Sequence, residues 1–418
     1  MKNYEQILGN YTKGGTPVKN LSRAAALFRE CGDPQNKLRF VHIAGTNGKG
    51  SLAEYTANAL TFSHKRTGSF TSPFVRNIRE RIRLDGAFIS ECDFAEYINQ
   101  ADYAVKRTGI VGFSQFEVLT AAAFLYFCDK QADIVVLECG IGGLLDCTNV
   151  IGASNVAAAV IAAVGIDHAE ILGDTVGEIA ANKAGIVKHR RPLVLYPIQP
   201  NEARAVIAGK CAEEESRLVT PRHIDITDVS LFGNTFSYKG VAYHTKMGGI
   251  HQIYNAATAI ETLLLLNVPT DCIRRSLEET TLPARCEVIS KKPLVVVDGA
   301  HNPHGVAATC ELLGGIGGKK TVVFGMVTGK NYEACIGIAA KHFDEFVFTD
   351  TFAPNAVPSL DLACAAKKSG ISDANIHVLS NEYSANDALL FAESRSSALT
   401  AVMGSLYLAS QIDFEKET

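Results

Sequence analysis

The sequence has no Cys-x-x-Cys pair, no internal repeat, no low-complexity segment and no excess of positive charge. Forty Lys and Arg stand against 44 Asp and Glu, a formal charge of −4. No bulk basic field therefore exists to hold nucleic acid or an anionic membrane. The eleven cysteines are an odd count, and the opening residues, MKNYEQILGNYTKGG, carry no apolar signal core. A reduced, cytoplasmic setting is expected, with most cysteines acting as small core residues. The longest uncharged run, 147–166, contains Thr148, Asn149, Gly152, Ser154, Asn155 and Gly165 and is otherwise mostly Ala and Val. It reads as a loop plus a buried strand, not as a membrane span. Hydrophobic residues at 47% and charged residues at 20% exclude wholesale disorder, collagen and coiled coil. A chain of 418 residues has room for two or three domains and for a core without disulfide or metal staples.

What is present is an alternation. Short Val- and Ile-rich runs without polar alternation predict buried strands at 40–44, 134–137, 157–164, 193–195, 294–297, 322–324 and 346–349. Between them, apolar residues at helical spacing predict helices at 50–62, 117–127, 176–186, 255–266 and 305–313. Strand–helix alternation is the signature of an α/β fold with a largely parallel sheet. Residues 217–245 break the rhythm, with Gly233-Asn234 and Lys239-Gly240 between short β-prone runs, and predict small hairpins. The polar stretch 290–293 is the expected boundary between domains spanning 1–290 and 293–418.

The sharpest local signal is Phe40-Val41-His42-Ile43-Ala44-Gly45-Thr46-Asn47-Gly48-Lys49-Gly50-Ser51. An apolar strand enters a glycine-rich turn and leaves as a helix. Backbone N–H groups in such a turn converge on phosphate oxygens, and the helix N-terminus favours the same charge. Lys49 can reach the β and γ phosphates, and Ser51 offers a hydroxyl, one place later than the common pattern has it. A triphosphate brings Mg²⁺ and a need for oxygen ligands. Glu138 closes an apolar strand and is followed by Gly140, Gly142 and Gly143. Asp167-His168 and Asp298-Gly299-Ala300-His301-Asn302-Pro303-His304 also follow apolar runs. The carboxyl ends of parallel strands are where α/β ligand sites gather.

Together these strings resemble one family. They are the segment KGGTPVKNLSRAAALFRECGDPQNKLRFVHIAGTNGKGS, then TSPF, ERIRLDG, FEVLTAAAFLYF, LECGIGG, LDCTNVI, GIDHAEILGDTVGEIAANKAGIVK, HQIYNAATAI, LPARCEVI, VVVDGAHNPHG and GSLYLASQI. In this order they resemble folylpolyglutamate synthase, also found as bifunctional dihydrofolate synthase, within the Mur-ligase-like ATP-dependent amide ligases. Gly50, awkward for a general P-loop, is usual in that family.

The resemblance implies a P-loop, Mur-ligase-like central domain and a smaller Rossmann-like C-terminal α/β domain, with the active site between them. It implies ATP and Mg²⁺ as cofactors and joining of L-glutamate to a folate carboxylate. The expected partners are small molecules only, with no nucleic acid and no membrane, acting on a monomer. Asn47, Gly48, Lys49, Gly50 and Ser51 match triphosphate-binding positions, and Asn255, Arg285 and Asp298 match ATP-binding ones. Ser72, Glu138 and His168 match Mg²⁺ ligands. Lys183 matches a lysine carbamylated in the family. With Lys49 and His301 it makes the expected catalytic set, His301 lying near the γ-phosphate or incoming glutamate. Phe116 and Glu117 match part of a folate-binding wall.

Some positions depart from the family pattern. Leu144 and Asn355 stand where arginines are usual, and an Arg offers anions a two-point clamp that neither can replace. Gly152 stands where bifunctional members often carry an Asp, which favours the synthase over the dihydrofolate synthase reading. Two other readings stay open: another Mur-type amino-acid ligase, and a paralogue that binds nucleotide or folate without turnover.

Overall fold

The computed structural model describes residues 3–12, 17–380 and 382–413. Residues 13–16, the start of the first family string, lie outside them. Two compact units are formed. One comprises Met1–Asp225, Ser237–Tyr243 and Tyr254–Thr280, the other Ile226–Phe236, His244–Ile253 and Thr281–Thr418.

The first unit is built on an eight-stranded sheet: β1 (Phe40–Ala44), β2 (Thr67–Phe70), β3 (Ile82–Leu84), β4 (Ala87–Phe88), β5 (Ile134–Glu138), β6 (Val156–Ile161), β7 (Leu193–Leu195) and β8 (Leu218–Val219). Their order across the sheet is β4-β3-β2-β5-β1-β6-β7-β8. From β2 to β8 every pairing is parallel, and β3 and β4 add an antiparallel edge. All five residues of β1 and of β5 are buried, as strands covered on both faces must be. Phe28, Phe40, Phe70, Phe124 and Phe127 fill one face. Ile161, Ile179, Ile186, Leu193 and Ile207 fill the other.

Strand β1 lies between β5 and β6, so the chain leaves β5 on one side of β1 and returns as β6 on the other. Loops that part in this way open a crevice at the carboxyl ends of the strands. The helix Lys49–Phe62 follows β1 and buries Leu52, Ala53, Tyr55, Ala57, Ala59 and Leu60 on a broad face, and Ser51, Glu54 and Thr56 as well, so it is buried nearly all round its axis. The helix Gln115–Asp129 starts at a reciprocal cap between Ser114 and Glu117.

A three-stranded sheet follows, with β9 (Ile224–Ser230), β10 (Gly233–Tyr238) and β11 (Val241–Thr245) in the order β11-β10-β9. This is the expected hairpin region, except that Leu218 and Val219 pair in parallel with Leu193 and Val194 in the main sheet.

The second unit carries β12 (Glu287–Lys291), β13 (Leu294–Val297), β14 (Lys320–Phe324), β15 (Glu345–Thr349), β16 (Ile376–Leu379) and β17 (Leu399–Met403), in the order β12-β13-β17-β14-β15-β16. All are parallel except β12, which forms an antiparallel hairpin with β13. The polar stretch 290–293 supplies the end of β12 and the two residues that join it to β13. Val296, Val322, Phe324, Phe346 and Phe348 centre the core of this unit. Among the described residues, no helix is long and apolar enough to cross a membrane.

Candidate active site

In the first unit, the turn after β1 is fixed by its neighbours. Thr46 and Asn47 donate their N–H groups to Ala163 O, at 2.8 and 3.2 Å. Thr46 Oγ1 also donates to Gly165 O at 3.0 Å and accepts from Gly165 N at 3.1 Å. The turn after β1 is thereby tied to the loop after β6. Gly48 begins the helix with φ at +88°, and a Cβ there would lie 2.5 Å from Asn255 Oδ1. Only glycine permits both the left-handed backbone and that approach. Lys49 folds back over the turn, its Nζ 3.2 Å from Gly45 O and 3.9 Å from Glu138 Oε1.

Glu138 ends β5 with 3% of its surface exposed. Its Oε2 accepts from the backbone N–H of Ser72 at 3.1 Å, which brings the loop after β2 against the end of β5. The Ser72 loop is shaped by Glu80, whose carboxylate accepts from the N–H groups of Val75, Arg76 and Asn77 at 2.7–2.9 Å. Lys183, on the helix Val176–Ala184, is 3% exposed, and its Nζ donates to Gly45 O at 2.9 Å. Burial, then the charge of Lys49, lowers its pKa to about 7. Lys49, Ser72, Glu138 and Lys183 therefore surround one turn.

His168 has a left-handed φ of 52°, begins the short helix Ala169–Leu172, and has Asp167 Oδ2 4.0 Å from its Nε2. Among the described residues, no three His, Cys, Asp or Glu side chains are grouped to hold a metal ion. A closed structural zinc site does not fit this donor set. Mg²⁺ does, because it keeps waters and takes phosphate oxygens beside one or two carboxylates.

Phe116 lies beside Gly140, where a Cβ would meet its ring at 2.8 Å, and its ring centroid is 5.5 Å from that of Phe70. Glu117 is held by Arg23 and by the start of its own helix. Its Oε1 accepts from Arg23 Nε and its Oε2 from Arg23 Nη2, both at 2.8 Å. Oε2 also accepts from Ser114 N and Oγ at 2.8 and 2.9 Å. At 5% exposure it caps its own helix and pairs with Arg23, and it offers no open polar face beside Phe116.

Asp146, quoted in the sequence only as part of a motif string, organises the loop after Glu138. It is buried, and its Oδ2 accepts from Gly140 N and Ile141 N at 2.8 and 3.0 Å. Oδ1 accepts from Thr148 N and Oγ1 at 3.0 and 2.6 Å. The legible signal was an Asp two residues before a Thr, which suits a local side-chain turn. Leu144 is exposed, and its backbone packs so closely that a Cβ on Gly185 would lie 2.5 Å from Leu144 Cα.

In the second unit, Arg285 stands between Ala284 and Cys286, both left-handed, at φ 53° and 47°. Asp298 is 6% exposed and accepts from Cys286 N at 2.7 Å, Ala300 N at 2.8 Å and Thr309 Oγ1 at 3.0 Å. Its carboxylate thus fixes the Arg285 turn to the loop that carries His301. His301 Nδ1 lies 2.8 Å from Gly299 O. A carbonyl only accepts, so Nδ1 carries the proton. His251 is the residue of this unit that sequence reasoning passed over. Its Nδ1 is buried without a hydrogen-bond partner among the described residues, and burial lowers its pKa to about 4.

The family models that match are the Mur ligase middle domain over residues 43–263 and the Mur ligase glutamate ligase domain over residues 284–406. The chain is 33% identical, over 94% of both chains, to a dihydrofolate synthase/folylpolyglutamate synthase of Bacillus subtilis. It is 34% identical to a folylpolyglutamate synthase of Lacticaseibacillus casei, over 75% of this chain and 76% of that one. Among solved structures, it superposes on a Mycobacterium tuberculosis folylpolyglutamate synthase complexed with ADP and AMPPCP. The TM-score there is 0.89 at 27% identity, covering 99% of this chain and 98% of that one. A folylpolyglutamate synthase from Thermotoga maritima gives a TM-score of 0.83 at 32% identity, over 97% and 95%. With both domain models matched in order around the P-loop and the strand-end Glu138, this chain belongs to the dihydrofolate synthase/folylpolyglutamate synthase family of Mur ligases.

Proposed function

We propose that this chain is an ATP-dependent ligase that adds L-glutamate to the γ-carboxylate of a reduced folate through an acyl phosphate. The observation that carries the reading is the cluster around Gly45: the amines of Lys49 and Lys183 both reach its carbonyl oxygen, at 3.2 and 2.9 Å, with the buried carboxylate of Glu138 beside Lys49. A carboxylate resists attack by an amine because its oxygen is a poor leaving group. Transfer of the γ-phosphoryl group to that oxygen makes it one. The amine of glutamate then adds to the carbonyl carbon, and the tetrahedral intermediate expels phosphate. The protein's part is to position these groups and to meet their negative charge.

In the first unit, the N–H groups of the 45–51 turn, with Asn47, Gly48, Gly50, Ser51 and Asn255, hold the triphosphate. Lys49 follows the charge that develops on the transferring group. Ser72, Glu138 and His168 would hold Mg²⁺, which when bound neutralises phosphate oxygens. Lys183 is assigned the carbamate role: an uncharged amine adds CO₂ and loses a proton, which turns a buried cation into an oxygen ligand. Phe116 offers a flat apolar face to a flat heterocycle, and Glu117 supports it by capping the same helix. In the second unit, Arg285 meets anionic oxygen of the nucleotide. Asp298 sets the backbone of that loop, and His301 is oriented by the bond from its Nδ1 to Gly299 O.

The test supplies ATP, Mg²⁺ and L-glutamate and follows phosphate release with two acceptors in parallel. Turnover with tetrahydrofolate alone supports the synthase reading, and turnover with dihydropteroate as well adds the dihydrofolate synthase reaction. Nucleotide binding with neither acceptor turned over would overturn both and leave the paralogue without turnover.

A further inference from the structure

We infer that Glu287 is the positioning residue for Arg285, holding the turn Ala284-Arg285-Cys286 in a backbone conformation that the turn's own residues resist. Ala284 and Cys286 are both buried and both left-handed, with φ at 53° and 47°. Each such residue is disfavoured against an ordinary conformation unless its surroundings impose it. Two of them flanking one arginine make a turn that must be clamped from outside.

The clamps are few. Ala284 donates its N–H to Glu287 Oε2 at 2.9 Å. Ala284 O accepts from Gly299 N at 2.8 Å and from Arg285 Nη1 at 3.1 Å. Cys286 N donates to Asp298 Oδ2 at 2.7 Å. Asp298 also serves Ala300 and Thr309, so its loss would disturb the His301 loop as well. Glu287 instead meets the first left-handed residue directly, from the first position of β12. Its carboxylate fixes the Pro283–Ala284 peptide on one side of the left-handed Ala284. The peptide on the other side, Ala284–Arg285, carries the carbonyl that accepts from the guanidinium, so the aim of Arg285 follows from the Ala284 backbone angles that the clamp holds. A bond from an N–H to an ionised carboxylate is also stronger than one to a neutral acceptor.

The inference rests on Arg285 contacting the nucleotide, as proposed above. Calorimetric titration with ADP and Mg²⁺ is compared for the wild type, Glu287→Ala, Glu287→Gln, Arg285→Ala and the double variant Glu287→Ala/Arg285→Ala, with thermal melts alongside. Displacing a positioned group by about an ångström costs up to roughly a hundredfold. Glu287→Ala should therefore weaken binding by about ten- to a hundredfold, and Glu287→Gln, whose amide oxygen still accepts, should recover most of it. In the Arg285→Ala background, Glu287→Ala should add little further loss of affinity while still lowering the melting temperature. Adding Ala284→Gly to Glu287→Ala should restore part of the binding, because glycine takes the left-handed conformation without the clamp. That pair and Glu287→Gln carry the test if Glu287→Ala alone does not fold. Multiplying losses in the double variant, or a lower melting temperature with unchanged affinity, would make Glu287 a merely structural residue and overturn the inference. Wild-type affinity in Arg285→Ala would instead overturn the nucleotide reading of Arg285, and the inference with it.

Discussion

Lys183 Nζ donates to the carbonyl oxygen of Gly45 at 2.9 Å, so a buried helix amine meets the backbone of the phosphate turn from within. Burial and the nearby charge of Lys49 bring its pKa to about 7, which leaves much of it uncharged at neutral pH. An uncharged amine is the form that reacts with CO₂.

The first prediction follows from that pair. Lys183→Ala should lower the ligase rate on the order of a hundredfold, the usual scale for losing one charge-stabilising group. Acetate or formate should restore part of it by supplying the missing carboxylate oxygen. Initial rates with and without added carboxylate check this, and an undiminished rate in the variant would contradict it.

Gly48→Ala should weaken nucleotide binding by tenfold or more. The added Cβ would lie 2.5 Å from Asn255 Oδ1, at a φ of +88° that alanine adopts at a cost of about 1–2 kcal/mol. A titration with ADP and Mg²⁺ measures it. Gly152→Ala is the control, since its Cβ would meet nothing closer than 3.6 Å.

Asp146→Ala should destabilise the first unit and slow the reaction together. It strips the partner from the N–H groups of Gly140, Ile141 and Thr148. The N–H of Thr148 is buried, and orphaning it costs about 1–3 kcal/mol, while the more exposed Gly140 and Ile141 belong to the loop leaving Glu138, which would lose its anchor. Urea unfolding and kcat on the same preparation check both effects.

A pH limit is built into the second unit. Glu345 is buried, which alone would raise its pKa, but hydrogen bonds from Lys319, His377 and Arg395 outweigh burial and hold it at about 2. Its pKa is depressed on folding, so the stability it contributes is full above the ordinary value of 4.5 and is lost as pH falls from there toward 2. Glu345→Gln should be less stable at neutral pH and show a flatter decline below pH 4.5. Melting temperature against pH, for both proteins, decides it.

The parts of the fold that read correctly from sequence were those with local causes. The β1 run, the Gly45–Ser51 turn and the helix after it carry their pattern within one continuous stretch, 40–62, and Glu138 shows itself by ending an apolar run. Strands β2 and β17 were missed because TGSF has one large apolar residue and LTAVM follows a polar stretch. Their burial comes from partners far along the chain, β5 for one and β13 and β14 for the other. Residue placements divided in the same way. The left-handed Gly48 at the helix start and Lys49 over the turn follow from local spacing. The use of Glu117 by Arg23, 94 residues away, and the clamping of Ala284 by Glu287 depend on where side chains meet. No periodicity encodes that.

The most direct measurement follows an oxygen atom. With the γ-carboxylate of tetrahydrofolate carrying oxygen-18, an acyl-phosphate route transfers one labelled oxygen to inorganic phosphate for each glutamate joined. Label in phosphate, in step with product and requiring both ATP and L-glutamate, is the predicted result. Product formed with unlabelled phosphate would contradict the account.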